Sequence, residues 1–201
     1  MDDTQAKMDK SDGAFLTGKL LLAMPGLSDP RFHRAVILVC AHDENGAMGL
    51  VLNHSLPGLP FTRILDSLNL SSDIQVDPAA LDIPVICGGP VEPGRGFLLH
   101  SAEFSCPDTL KINQDVSVTG TVDTLKDVAS GKGPARFLFI LGYAGWDSGQ
   151  LESEIQHNSW LVSEPTPELL FETEDEESKW TKAVQTLGFD PTMLSGDAGR
   201  A

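Results

Sequence analysis

Histidine is the side chain that changes charge near neutral pH without help from its surroundings, so the five histidines are where acid–base chemistry would start. His42 sits with Asp43 and Glu44 in a polar turn, His54 follows Asn53 at the end of an apolar run, His100 closes another run, and His157 lies near the end of a helical pattern. None belongs to an HExxH or CxxC pattern, so a metal would need ligands gathered from distant segments; no metal and no cofactor is expected. His100 is the strongest candidate because it lies beside the glycine-rich segment Gly88–Gly96. If the runs flanking Pro93-Gly94 pair symmetrically as a hairpin, Cys87 falls opposite His100, and a thiol beside an imidazole is the beginning of a cysteine nucleophile. No orienting third group is evident and Gly88-Gly89-Pro90 interrupts the register, so a structural thiol is the better reading of Cys87.

Carboxylates and amides next to apolar elements form a second set. Asn53, Glu92, Gln150 and Glu154 are so placed, and a hydrolase would have to combine His100 with Glu92 or Glu154. Spacing alone shows no carboxylate pair, which favours a binding protein over an enzyme. The most specific stretch is Gly142–Trp160, where an apolar strand is expected to pass through a glycine-rich turn into a short amphipathic helix. Asp147 is placed to be the helix N-cap, with Gln150 reaching back to its backbone N–H and Trp146 stapled to Leu151. Gln150, Glu154 and Asn158 then share a polar stripe that can hold a neighbouring segment by hydrogen bonds. A glycine-rich turn feeding a helix also suits an anion, but Asp147 puts a negative charge there and no phosphate-loop pattern is present.

The elements that must position these residues follow from hydrophobic periodicity. Leu20–Met24 reads as a strand covered on both faces, and Val36–Ala41 and Met48–Leu52 flank Asn45-Gly46 as a hairpin. Phe61, Ile64, Leu65 and Leu68 repeat as a helix over 61–69, after which 70–82 reads as a loop. Val85–Cys87 and Phe97–His100 are expected to form the second hairpin, with Gly88-Gly89-Pro90 marking a bulge or the close approach of another backbone. Val116–Thr119 alternates as a strand, Val122–Ala129 as a helix stopped by Gly131, and Phe137–Leu141 is the most apolar strand. Past Glu168–Glu177, an acidic run, Trp180, Ala183, Val184 and Leu187 outline a solvated capping helix over about 174–187, with Lys179 and Lys182 further along it. Residues 1–13 read as a disordered leader, 14–189 as one domain, and 190–201 as a frayed tail.

Strands outnumber helices and hairpins favour antiparallel pairing, so the expected class is α+β with a curved sheet closing on itself. The 201 residues, 41% hydrophobic and 21% charged, suit one globular core. The net charge of −15 is spread so that no segment is basic, which opposes long-range attraction to nucleic acid or to an anionic membrane. Three cysteines without a preceding signal peptide read as reduced cytoplasmic thiols, and no apolar run approaches the roughly 18 residues of a membrane span.

Four linked motifs resemble the bacterial AlgH/YqgE family: Gly18–Pro25 with Asp29-Pro30 and Phe32; Asn45–Leu50 to Asn53; Gly88–Glu92 with Leu99-His100; and Gly142–Trp146 with Gly149–Glu152. They run in the family's order over about 14–162. Asp147-Ser148 replaces a small Gly-Ala pair, and His54 stands where Arg commonly follows the Asn, so an anion held by that Arg elsewhere is not expected here. The resemblance implies one α+β domain with a mainly antiparallel, bifurcated sheet folded into a pseudo-barrel with flanking helices. It also implies a link to transcriptional control, without a DNA contact, ligand, reaction or cofactor attached. The candidate binding set is therefore Asn53, Gly88, Gly89, Glu92, His100, Trp146, Gln150 and Glu154, expected to converge on one recess. The function expected is that of a cytoplasmic regulatory or binding protein with an unidentified protein or small-molecule partner. A His/Glu hydrolase is the alternative and direct DNA binding the third reading. The sequence carries no signal for oligomeric state.

Overall fold

Apolar alternation sends successive side chains of each strand to opposite faces, and both faces are used. The computed structural model describes residues 15–70, 75–120, 122–172 and 175–194. The expected leader, 1–13, and residues 195–201 of the expected tail lie outside the described residues. Among the described residues nine strands form the sheet: β1 Leu20–Ala23, β2 Val36–Asp43, β3 Gly46–Val51, β4 Val85–Cys87, β5 Val91–Ser101, β6 Thr109–Lys111, β7 Val116–Thr119, β8 Phe137–Asp147 and β9 Trp160–Ser163. Five helices flank it: α1 Phe61–Ser67, α2 Val122–Ala129, α3 Gln150–Gln156, α4 Pro167–Phe171 and α5 Glu176–Thr186. The strand order is β6-β7-β5-β8-β3-β2-β1-β9, with β4 also on β8, and all pairings are antiparallel except β4 with β8. The class is α+β, a single mainly antiparallel curled sheet. It is a half-barrel rather than a closed one, because β6 and β9 end the order without pairing to each other among the described residues.

The bifurcation happens on one side of β8. Its first half, Phe139–Leu141, has β5 on one side and β4 on the other, whereas its second half, Ala144–Asp147, takes β3 on the side that β4 occupied. The sheet forks between Leu141 and Ala144. Gly88 closes the crotch: its N–H donates to the Leu141 carbonyl at 2.8 Å and its carbonyl accepts from Val51 N–H at 3.0 Å. A Cβ on Gly88 would lie 2.3 Å from the Gly142 carbonyl oxygen, and one on Gly89, whose φ is +148°, 2.2 Å from the Tyr143 carbonyl carbon. Gly142, at φ +72°, bends β8 at the same point. The close backbone approach expected at Gly88-Gly89 is thus the fork.

The second hairpin is a correction. β4 and β5 do not pair with each other; both pair with β8, because the most apolar strand of the chain buries both its edges and takes the central place. Cys87 therefore lies beside Leu141 and His100 beside Phe137, on opposite edges of β8 and four positions apart along it, which separates them by at least about 13 Å at 3.3 Å per residue. The glycine-rich stretch after Leu141 is also strand, not turn, because β3 supplies a ladder for it through Asp147. α3 consequently starts later: its N-cap is Gly149 at φ +72°, without a side-chain cap, although Gln150 Oε1 still accepts the Asp147 N–H at 2.9 Å. The hairpin at Asn45-Gly46, the helix at 61–67, the strand at 116–119 and the helix at 122–129 form as expected.

Three apolar clusters follow from the alternation. Leu20, Leu22, Val36, Leu38, Leu99 and Ile140 fill the concave face, where α4 and α5 plug them with Leu169, Leu170, Trp180, Ala183 and Val184. Leu21, Ile37, Val39, Trp146, Leu151 and Trp160 meet outside β1–β3, under α3. Phe61, Leu65, Leu98, Leu125, Val128 and Phe139 meet outside β5 and β8, under α1 and α2. In α5 the departure from a solvated polar face is Lys179, which is 2% exposed with Nζ donating to the Leu169 carbonyl at 3.2 Å, while Trp180 Nε1 donates to the Ala23 carbonyl at 2.9 Å. The helix buries one face, Lys179, Trp180, Ala183 and Val184, and that face includes the lysine. The tail also starts later than residue 190, since Asp190 caps a turn over Pro191–Met193 and Leu194 packs on the concave core.

Cys40 belongs to that core. Burial pushes its thiol from an ordinary value near 9.0 up to about 12. Between those values the folded chain keeps a proton that the unfolded chain releases, so Cys40's contribution to stability is whole below pH 9 and lost as pH rises towards 12, at up to about 1.4 kcal/mol per pH unit. A small maleimide is expected to modify the half-buried Cys87 and Cys106 in the native protein and Cys40 only after denaturation. Mass spectrometry of the labelled peptides checks this, and native labelling of Cys40 would contradict the buried assignment.

Candidate functional site

The eight candidate residues occupy three places, not one. At the strand edge near the fork, Asn53 is 2% exposed; its Oδ1 accepts the Val36 N–H at 2.9 Å and its Nδ2 donates to the Arg34 carbonyl at 2.8 Å. It thereby holds Arg34, a non-glycine residue at φ +49°, at the entry to β2. Next to it His54 Nε2 donates to the His33 carbonyl at 3.0 Å. Gly88 and Gly89 are consumed by the fork. Glu92 stands out on the surface at φ +45°, paired with Arg95 at 2.9 Å across the irregular part of β5.

The second place is built by α3. One turn along it from Gln150, Glu154 faces the two tryptophans that meet edge to face at 5.9 Å, Trp146 of β8 and Trp160 of β9. Glu154 Oε2 accepts both indole N–H groups, at 2.9 Å from Trp146 and 2.7 Å from Trp160, and Oε1 accepts Gln150 Nε2–H at 2.8 Å. The polar stripe does hold a neighbour, by indoles rather than by backbone. Trp160 was not singled out in the sequence; its position six residues after Glu154, at the start of an apolar run, was the signal.

The third place is the outer face of β5 and β7, where His100 is fully buried. A carbonyl can only accept, so the contact at 2.9 Å to Ser101 O puts the imidazole hydrogen on Nδ1. Nε2 then accepts the Thr119 hydroxyl at 2.9 Å, Thr109 sits 2.8 Å further along, and the ring meets Phe104 edge to face. His42 is used similarly: the Leu16 N–H donates to Nδ1 and Nε2 donates to Glu152 Oε1, each at 3.0 Å. Neither ring keeps a nitrogen for a substrate. His100 and Trp146 are also nine positions apart along β8, up to about 30 Å. The expected convergence on one recess does not occur, because β8 carries the three places along its length.

The recess that the structure does form lies elsewhere. Between α1 and α2, over the outer face of β5, β7 and β8, a cleft of about 310 Å³ opens. Ile64, Ser67 and Leu68 form one wall and Val122 and Leu125 the other, while Gly94, Gly96, Leu98, Thr119, Gly120, Phe139 and Leu141 form the floor. None of the eight candidates lines it, nor, among the described residues, does any ionisable side chain. Leu68 and Val122, apolar members of the two helical patterns, are 39% and 46% exposed at its mouth. Among the described residues no group of histidines, cysteines and carboxylates could hold a metal ion, and no helix is long and apolar enough to cross a membrane.

The forked, mainly antiparallel half-barrel with helices plugging its concave side and covering its convex one defines the class of protein. A model of the AlgH-like family matches residues 20–192, beyond the 14–162 span of the four motifs at the C-terminal side. A UPF0301 protein of Paracoccus denitrificans is 51% identical over 96% of this chain and all of its own length, and one of Jannaschia sp. is 49% identical over 92% and 95%. Among solved structures, the AlgH protein of Pseudomonas aeruginosa, also described as UPF0301, superposes with a TM-score of 0.76 at 36% identity, covering 96% of this chain and 100% of that one. Protein DIP2367 of Corynebacterium diphtheriae shares the fold at a TM-score of 0.65 and 18% identity, over 85% and 86% of the two chains. The chain belongs to the AlgH-like family.

Proposed function

We propose that the protein is a cytoplasmic binding protein that acts in regulation, and that the cleft between α1 and α2 is where it takes up its ligand. The carrying observation is that this cleft is lined mainly by apolar side chains and glycine backbone, without an ionisable group among the described residues. Such a surface favours holding an apolar group over acid–base or nucleophilic chemistry. The link to transcriptional control stays part of this reading, with the ligand as the signal; three free thiols are in keeping with a reducing compartment. Amide chemical-shift mapping with a panel of small apolar compounds is expected to single out residues of α1, α2 and the 94–98 segment. Perturbations confined to the tryptophan cradle or the fork would overturn the assignment.

The hydrolase reading has little to support it. His100 has both nitrogens engaged and no access to solvent, Glu92 is paired with Arg95, and both oxygens of Glu154 are engaged, by two indoles and an amide. Replacing His100 by Ala is expected to cost about 2–4 kcal/mol of stability by opening a buried site and stranding its hydroxyl partner. Urea denaturation reads this, and a variant as stable as the parent would show the imidazole to be dispensable to the fold. Direct DNA binding is opposed by the net charge of −15; a salt-dependent, sequence-selective gel shift would revive it.

A further inference from the structure

The cleft has a size, a charge and a hydrogen-bonding sense, and together these specify a ligand class; the inference rests on the binding reading above. At about 310 Å³ it has roughly twice the volume of an engineered apolar cavity of about 150 Å³ that takes one benzene, which is room for two fused rings. Its described lining is neutral, and the −15 charge of the chain disfavours an anionic ligand at long range. Where β5 passes with Gly94 and Gly96 the floor carries no side chain, which leaves peptide groups open to a ring face. Gly94 and Gly120 have neither a left-handed φ nor a neighbour that forbids a side chain: a Cβ on Gly94 would meet nothing within 4 Å, and one on Gly120 only the Gly96 carbonyl at 3.9 Å. What these two glycines provide is space in the cleft.

The two hydroxyls among the described lining residues have already spent their hydrogens. Ser67 donates to the Ile64 carbonyl at 2.8 Å, and Thr119 to His100 Nε2. Thr119 is further occupied as an acceptor from Thr109, which leaves Ser67 Oγ presenting lone pairs at the wall. A ligand that satisfies Ser67 must donate. We propose that the cleft binds an uncharged, planar, two-ring aromatic compound that carries one N–H or O–H donor.

The test is a chemical-shift titration of the full chain with indole and 2-naphthol, with naphthalene, naphthalene-2-sulfonate and 1-decanol as comparisons and N-acetyltryptophanamide as the protein-side-chain source of the same chemistry. The expected result is saturable shifts at Ile64, Leu68, Gly94, Gly96 and Leu125 with indole and 2-naphthol. Naphthalene, which lacks the donor, and the sulfonate should each bind at least tenfold more weakly. Gly120→Leu should weaken indole at least tenfold with an unchanged melting temperature, and Gly94→Val serves if that variant fails to fold. Ser67→Ala should remove the preference for 2-naphthol over naphthalene. Tighter binding of the tryptophan amide than of free indole would assign the ring to a partner's side chain and overturn the free-ligand proposal. Binding of 1-decanol alone at these residues would sink the ring class while leaving the cleft as the site. Shifts at these residues with none of the compounds would remove the binding reading as well.

Discussion

Gly88→Ala is expected to yield no stably folded protein, and Gly89→Ala the same. A methyl group at 88 would stand 2.3 Å from the Gly142 carbonyl oxygen and 2.4 Å from Ile140 Cγ2. Relief by movement is blocked from both sides, since Gly88 N–H is bonded to Leu141 and its carbonyl to Val51. Shifting Gly88 outward breaks the join between β3, β4 and β8, and shifting Gly142 straightens the bend that lets β8 serve both prongs of the fork. Gly89 adds a backbone conformation, φ +148°, that L side chains rarely adopt. Overpacking against backbone, with loss of ladder hydrogen bonds, costs more than about 4 kcal/mol, a large part of the 5–15 kcal/mol that holds a domain together. Gly94→Ala is the control, because its Cβ meets nothing within 4 Å. Denaturant unfolding and circular dichroism decide the matter: a Gly88→Ala protein within 1 kcal/mol of the parent would mean that the fork is not the constraint described here.

The second large effect is at Glu154. Truncation to Ala removes the acceptor of two indole N–H groups and of the Gln150 amide at once. Trp146 and Trp160 are 7% and 3% exposed, so water cannot readily replace the carboxylate at either indole. Each stranded indole donor costs about 1–3 kcal/mol, giving a loss of about 2–6 kcal/mol where α3 packs on β8 and β9. Glu154→Gln keeps an acceptor oxygen and is expected to recover more than half of the loss. The readouts are thermal unfolding and near-ultraviolet circular dichroism, whose tryptophan signal reports the edge-to-face pair directly. Equal destabilisation by Ala and Gln would show that charge, not hydrogen-bond acceptance, is what the indoles require.

These effects also separate what could be read along the chain from what could not. The hairpin at Asn45-Gly46, α1 and α2 were legible because their signals are local: a turn pair between apolar runs, or apolar residues three and four apart. Gly88-Gly89 was legible as a close backbone approach, but not which backbone would approach. The β4–β5 hairpin failed because two strands near in sequence are usually partners, whereas here both are claimed by Phe137–Leu141, the more apolar strand some fifty residues later. The candidate site failed in the same way. Polar residues beside apolar elements were correctly picked out, yet Asn53, His100 and Glu154 proved to have their partners inside the fold. Conversely, Ile64, Gly94 and Gly120 carry no chemical signature and meet only when two helices lie over one sheet face.

The amino-acid order on its own settled the kind of element at most positions, the α+β class, the acidic character of the chain and its kinship, since each of these depends on neighbours within a few residues or on composition. Folding decided which strands share an edge, that β8 forks the sheet, that Lys179 goes inside, and that the open hollow lies between α1 and α2. Those outcomes come from competition among distant segments for the same buried edges and faces. A one-dimensional pattern shows what each segment can offer, and only the packed chain shows which offer is taken.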